Sequence, residues 1–206
     1  MKKLLGYFVL VIFGTVIAGC STVTKEQIKI KSQGGRADIF VEVKDDVTIP
    51  EGYADLIIKA HIKTHLEGYY IGESKKSLHG KPEYPFLINI DGQAAIWKVH
   101  GVKETSPEYD KDGKRRIDPE AGTGMKYYLS KRVRVPAGSH RIFFGLPEER
   151  YFLEVEVTLR EGESAVLEFK PLYKTNRIPK RIPTFLKGID KYEVFLDGKP
   201  VKSLTN

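Results

Sequence analysis

The sequence predicts an all-β domain, an antiparallel β-sandwich, behind a short N-terminal leader. Three observations carry this. From Arg36 onward, short apolar runs recur about every ten residues and are separated by turn-forming residues. Within the runs apolar and polar residues alternate. The alternation is clearest in DLIIKAHIKTHL over 55–66, where Leu56, Ile58, Ala60, Ile62 and Leu66 fall on one face. No stretch after residue 35 repeats with a helical period.

The elements follow in chain order. Ala37 to Val43 reads as a strand, and Asp55 to Leu66 as a longer one. Pro85 to Ile90 and Ala94 to Val99 flank Asp91-Gly92, a dipeptide that suits a two-residue hairpin turn. Lys126 to Val135, Ser139 to Leu146, Tyr151 to Leu159 and Glu163 to Leu172 continue the pattern, and Tyr192 to Leu196 runs into a second Asp-Gly pair, Asp197-Gly198. Two stretches break it. Residues 102–124 form a long, charged, Pro- and Gly-containing loop, and loops of that length are usually binding elements or mobile. Residues 174–187 form a basic connector with Pro179 and Pro183. At 206 residues the chain suits one domain over 36–206, large enough to bury a core without a metal or disulfide staple. Its 11 Tyr and 10 Phe favour strands.

The first twenty residues, MKKLLGYFVLVIFGTVIAGC, have a different character. Lys2 and Lys3 precede an apolar run from Leu4 to Ala18, too short to cross a bilayer as a helix. Ile17-Ala18-Gly19-Cys20 resembles the lipobox of bacterial lipoproteins. The resemblance implies cleavage after residue 19, lipid on the Cys20 sulfur, and a cell-envelope protein anchored on a membrane. By analogy with enteric lipoproteins, Ser21 directs it to the outer membrane, facing the periplasm. Residues 20–35 then read as lipidated cysteine and flexible tether, holding the domain roughly 20 Å from the lipid. Cys20 is the only cysteine, which excludes an internal disulfide and thiolate zinc sites. Loss of Lys2 and Lys3 from a chain of net charge +7 leaves 32 basic against 27 acidic side chains, a net +5. That charge suits an anionic membrane face, a wall polymer or an acidic partner, and equally a domain with none of them.

Val135-Pro136-Ala137-Gly138-Ser139-His140-Arg141-Ile142 resembles the strand, Gly turn, His, strand signature of PEGA-type and carboxypeptidase-regulatory-like modules. The strand Val155 to Leu159, the turn Glu161-Gly162-Glu163 and the run Val166 to Phe169 continue that resemblance, as does the Ile90-Asp91-Gly92 element. It covers about half of the chain after the leader and implies an immunoglobulin-like or transthyretin-like sandwich, non-catalytic, with no implied ligand.

Candidate chemistry is sparse. His61 and His65 have the four-residue spacing of a helical metal pair, but on a strand they share the polar face with Lys59 and Lys63 and read as solvated. Glu108, Asp110, Asp112 and Gly113 resemble the start of a calcium loop, but Pro119 stands where the twelfth-position ligand belongs. His140, at the start of a strand, reads as making a capping or turn hydrogen bond, and Trp97 as packed in the core or between core and rim. Lys131, Arg132, Arg134 and Arg141 are basic but split between faces by strand alternation. There is no Gly-x-Ser-x-Gly elbow, Walker loop or dinucleotide fingerprint. No catalytic residue, metal or cofactor is therefore expected, and no nucleic-acid partner. The expectation is a binding or structural module that meets an envelope protein or wall polymer. The 102–124 loop supplies the contact, with Tyr109 as aromatic anchor and Arg115 and Arg116 as bidentate donors. The alternative is a lipid-tethered enzyme acting on a wall polymer or exported substrate, with that loop over a cleft.

Overall fold

The computed structural model describes residues 24–44, 48–114, 116, 118–175 and 184–205. The expected leader, the expected lipidation site Cys20 and Arg115 lie outside them, as does most of the basic connector. Among the described residues there are ten strands: β1 (Val41–Glu42), β2 (Tyr53–Thr64), β3 (Glu83–Ile90), β4 (Gln93–Ser106), β5 (Gly122–Pro136), β6 (Gly138–Leu146), β7 (Tyr151–Leu159), β8 (Ser164–Tyr173), β9 (Ile189–Leu196) and β10 (Lys199–Val201). The mostly β expectation holds, and the strands lie close to where alternation places them.

The strands form one hydrogen-bonded path, β10-β9-β8-β2-β5-β4-β3-β6-β7, with β1 beside β5. The expectation was of two facing sheets. β4 makes the path continuous by changing partner along its length. Gln93 to His100 pair with β3, and Gly101 to Ser106 pair with β5. β2 and β8 run parallel over Asp55 to Ala60, against the antiparallel rule of the remaining pairs. The ends of the path curl towards each other. The Tyr192 amide of β9 donates to the Tyr151 hydroxyl of β7 at 2.9 Å, and the Leu204 amide donates to the Glu154 carbonyl at 2.7 Å. The result is a sheet nearly closed into a barrel.

Alternation explains the interior. Ala54, Leu56, Ile58, Ala60 and Ile62 of β2 all point inward and are buried. Rings from different parts of the wall meet in the centre: Phe144 of β6 stacks on Phe169 of β8 at 4.3 Å, and its edge meets Tyr192 of β9. Trp97 is buried near Phe40, as expected, and its indole N–H donates to Glu42 at 2.6 Å. Both Asp-Gly pairs are hairpin turns. Ile90 pairs with Gln93 across Asp91 (φ 47°) and Gly92 (φ 97°), a left-handed pair that Gly92 accommodates without steric cost.

Two expectations are corrected. Residues 24–33, expected within a flexible tether, are helical (α1). Lys, Glu and Gln there are good helix formers, and Ile28 is buried against Leu87 and Phe143. Lys31 pairs with Glu154 at 2.9 Å, and Asn89 donates to the Lys31 carbonyl. The long loop is also shorter than 102–124, because β4 runs to Ser106 and β5 begins at Gly122.

Candidate functional site

β2 delivers two polar clusters at its C-terminal end, one around Lys63 and one around His65. Lys63 points out of the barrel yet is buried. Its ammonium donates to Glu104 Oε2 at 3.0 Å and to the carbonyls of Glu120 and Gly122 at 2.6 and 2.9 Å. Beside it, the Glu120 carboxylate takes the Tyr173 hydroxyl at 2.7 Å, Lys126 at 2.5 Å and His61 at 3.3 Å. Burial alone would raise the Glu120 carboxyl, but His61, Lys126 and Tyr173 outweigh it and bring it down to about 2. Lys126 would be lowered by burial, but Glu120 first among its partners lifts it to about 12. This network ties the end of the 107–121 loop to the barrel wall.

The His65 cluster forms where the chain after β2 folds back over the wall. Residues 65–82 are held at several points. The Gly80 amide donates to Thr64 Oγ1 at 3.1 Å, the Tyr70 hydroxyl to the Leu186 carbonyl at 2.9 Å, and the Tyr127 hydroxyl to the Lys81 carbonyl at 2.7 Å. Gly80 (φ 72°) is needed there, because a Cβ would sit 2.0 Å from the Glu67 nitrogen.

The fold-back places His79 and Glu73 against His65. His65 Nε2 and His79 Nδ1 are 3.0 Å apart, and Glu73 Oε1 lies 3.4 Å from the first and 3.8 Å from the second. Among the described residues, these three are the group of His and carboxylate side chains close enough to share a metal ion. The outer ring nitrogens are engaged as well. His65 Nδ1 meets the Leu66 carbonyl at 2.9 Å, and His79 Nε2 meets Glu149 Oε1 at 2.6 Å. Glu149, in the β6–β7 turn, also accepts the Tyr84 hydroxyl at 2.9 Å. Burial would raise the Glu149 carboxyl, but His79 and then Tyr84 hold it below the ordinary carboxylate range. Burial would lower His79, but Glu149 outweighs it and raises the imidazole above its usual value. Tyr69 and Tyr70 flank the His65 ring at 5.7 and 4.9 Å. A cavity of about 310 Å³ opens beside the cluster, lined also by Thr64, Lys174, Phe185 and Lys187.

The residues singled out from sequence fare differently. His65 is buried in a cluster, where a solvated face was expected, and its neighbour is His79 rather than His61. His61 turns to Glu120. Asp110 Oδ1 accepts the amides of Asp112 and Lys114, so this carboxylate shapes the turn that resembled a calcium loop. Tyr109 is exposed, and Arg116 faces Asp118 at 3.7 Å. Neither joins either cluster. His140 lies near the start of β6, its ring held between Asp91 of the hairpin turn at 2.6 Å and the Pro136 carbonyl at 2.7 Å. Each member of the basic set meets a carboxylate: Lys131 with Glu42, Arg132 and Arg134 with Asp55, Arg141 with Glu154. His79, Glu73 and Glu149 carried no signal in the sequence pattern.

Compared with family models, with curated proteins and with solved structures, the chain shows no match.

Proposed function

We propose that this chain is a cell-envelope lipoprotein, held on a membrane by lipid on Cys20, whose barrel is a non-catalytic binding module with its site in the cavity beside His65. In this reading the curled sheet takes the part that the sandwich plays in PEGA-type modules, a rigid holder for loops. The membrane is the outer one, the barrel faces the periplasm, and the partner is an envelope protein or a wall polymer.

The observation that carries the reading is the preformed cavity. Its volume, about 310 Å³, suits a small polar solute or the end of a partner's chain. Its polar groups are already oriented by hydrogen bonds, so a ligand would meet them without a large ordering cost. The Thr64 hydroxyl beside it is committed, donating to the His65 carbonyl at 3.1 Å and accepting the Gly80 amide. That commitment favours binding over acyl transfer. One observation favours the tethered-enzyme reading: the His79–Glu149 pair is of the kind used for proton transfer.

Two experiments test the proposal. A photo-cross-linking residue at Lys187, on the cavity rim, should capture an envelope component in intact cells, and one at Tyr109 should not. Capture from Tyr109 alone would move the site to the 107–121 loop. Turnover of a wall fragment by the purified protein would replace the module with the enzyme. Labelling with a fatty-acid probe should be lost in Cys20→Ala, and equal labelling of that variant would end the lipoprotein reading.

A further inference from the structure

His65 and His79 face each other through nitrogens that carry no proton while both rings are neutral. The Leu66 carbonyl only accepts, so His65 Nδ1, 2.9 Å away, carries that ring's hydrogen. The Glu149 carboxylate also accepts, so His79 Nε2, 2.6 Å away, carries the other. A neutral imidazole has one N–H. The lone pairs of His65 Nε2 and His79 Nδ1 then oppose each other across 3.0 Å, an arrangement that needs a cation.

A proton or a metal ion could satisfy it. A proton would use Glu73 only as a nearby negative charge, whereas a metal ion would use it as a third ligand. Glu73 Oε1 completes a triangle with edges of 3.0, 3.4 and 3.8 Å. Donor atoms bound at 2.0–2.1 Å to a tetrahedral zinc ion lie about 3.3 Å apart, inside that range. The acceptors behind both rings have the arrangement that fixes the tautomer of metal-bound histidines, a backbone carbonyl on one and a carboxylate on the other. Two imidazoles and one carboxylate suit zinc-type ions rather than magnesium or calcium, which take oxygen ligands.

We propose that His65 Nε2, His79 Nδ1 and Glu73 Oε1 bind a divalent transition-metal ion of the zinc type, with the fourth coordination position open to the cavity. This deepens the reading of the cavity as the binding site and rests on it. Three protein ligands and an open position are the pattern of sites that receive a further ligand, whereas purely structural zinc sites are closed by four. An anionic group of the cavity's ligand would complete the shell. Glu149 is a positioning residue, acting through His79.

The test is calorimetric titration of the detergent-purified, metal-stripped full chain with zinc chloride at neutral pH. The wild type should bind one ion per chain. Glu149→Gln should weaken binding by about 10- to 100-fold, and Glu73→Gln by at least about 10-fold. His100→Gln should bind as the wild type does, because the His100 ring is largely exposed, faces Glu83 and is not a member of the triad. Glu73→Gln keeps the size of a loop side chain that pairs with the two rings, so a folded variant is expected, checked by circular dichroism. Cobalt in place of zinc should give the visible absorption of a tetrahedral site. Failure of the wild type to bind zinc, or wild-type affinity in both Glu73→Gln and Glu149→Gln, overturns the proposal. Repeating the Lys187 cross-linking after chelation separates the two readings. Capture that survives chelation in a protein that binds no zinc leaves the cavity module standing and removes the ion. Zinc binding without capture keeps the ion and removes the module.

Discussion

The two polar clusters at the end of β2 come from one short string, His61-Ile62-Lys63-Thr64-His65, and are built to different rules. Around Lys63 and Glu120, donors and acceptors match. The ammonium of Lys63 has three acceptors, and Glu120 has three donors. Around His65 and His79 the outer nitrogens are matched, but the inner pair has acceptors facing one another. The first cluster is complete as it stands and fastens a loop. The second is complete only with something added. Polar burial alone therefore does not separate a fastening from a receptor; counting hydrogens does.

The largest expected effect breaks the complete cluster. Lys63→Met removes a buried cation and leaves two carbonyls and Glu104 short of a donor. It should destabilise the fold by about 3–5 kcal/mol in urea unfolding. A loss below about 1 kcal/mol would mean that water replaces the ammonium and the network fastens nothing.

Next is the incomplete cluster. Zinc at a hundred times its dissociation constant should stabilise the wild type by about 2.7 kcal/mol, read as a raised melting temperature. Glu73→Gln without zinc should stay within about 0.5 kcal/mol of wild type, as a partly exposed loop change does. At the zinc level that raises the wild-type melting temperature, it should gain less. Equal zinc stabilisation of both proteins would erase the distinction between the clusters.

A smaller effect is the acid response of the complete cluster. The folded pKa of Glu120, about 2, lies below the ordinary 4.5. The unfolded chain therefore takes up the proton first as pH falls. The contribution is fully present above about pH 5 and is lost between about pH 5 and pH 2, on the order of 2 kcal/mol. Glu120→Gln should be less stable at pH 7 and show a flatter acid limb in a pH series of urea unfolding. An unchanged acid limb would mean that other carboxylates carry it.

The smallest effect is expected at Tyr109 and Arg116. Replacing either by Ala should change stability by less than about 0.5 kcal/mol, because their side chains lie outside both clusters. A larger loss would mean that the exposed part of the loop is as fastened as its end.

Much of the wall was legible. Alternation in 55–66 placed Leu56, Ile58, Ala60 and Ile62 inside, and the two Asp-Gly pairs marked their hairpins. Periodicity reports which face is buried, not which strand lies alongside, so the change of partner within β4 and the parallel β2–β8 pair were not readable. The same limit concealed the site. Parity put Lys63 and His65 on the polar side and read them as solvated, whereas both are buried. Nothing local says that residues 66–82 return to cover that face, and His79 lies fourteen positions away from His65. The Ile-Lys-Ile of residues 28–30 alternates like a strand, and only its packing on Leu87 and Phe143 reveals it as helix.

α1 would also change the geometry of the proposed attachment. A lipid on Cys20 would be separated from Thr24, the first described residue of the helix, by four peptide steps, at most about 14 Å of chain. The docked helix spends residues that a flexible tether would have used as slack. So anchored, the barrel would be on a short leash, carried close to the bilayer and limited in how far it can turn. A partner would have to come to the membrane surface to meet it, and lengthening the segment before Thr24 would widen the volume the cavity can sweep without altering the cavity itself.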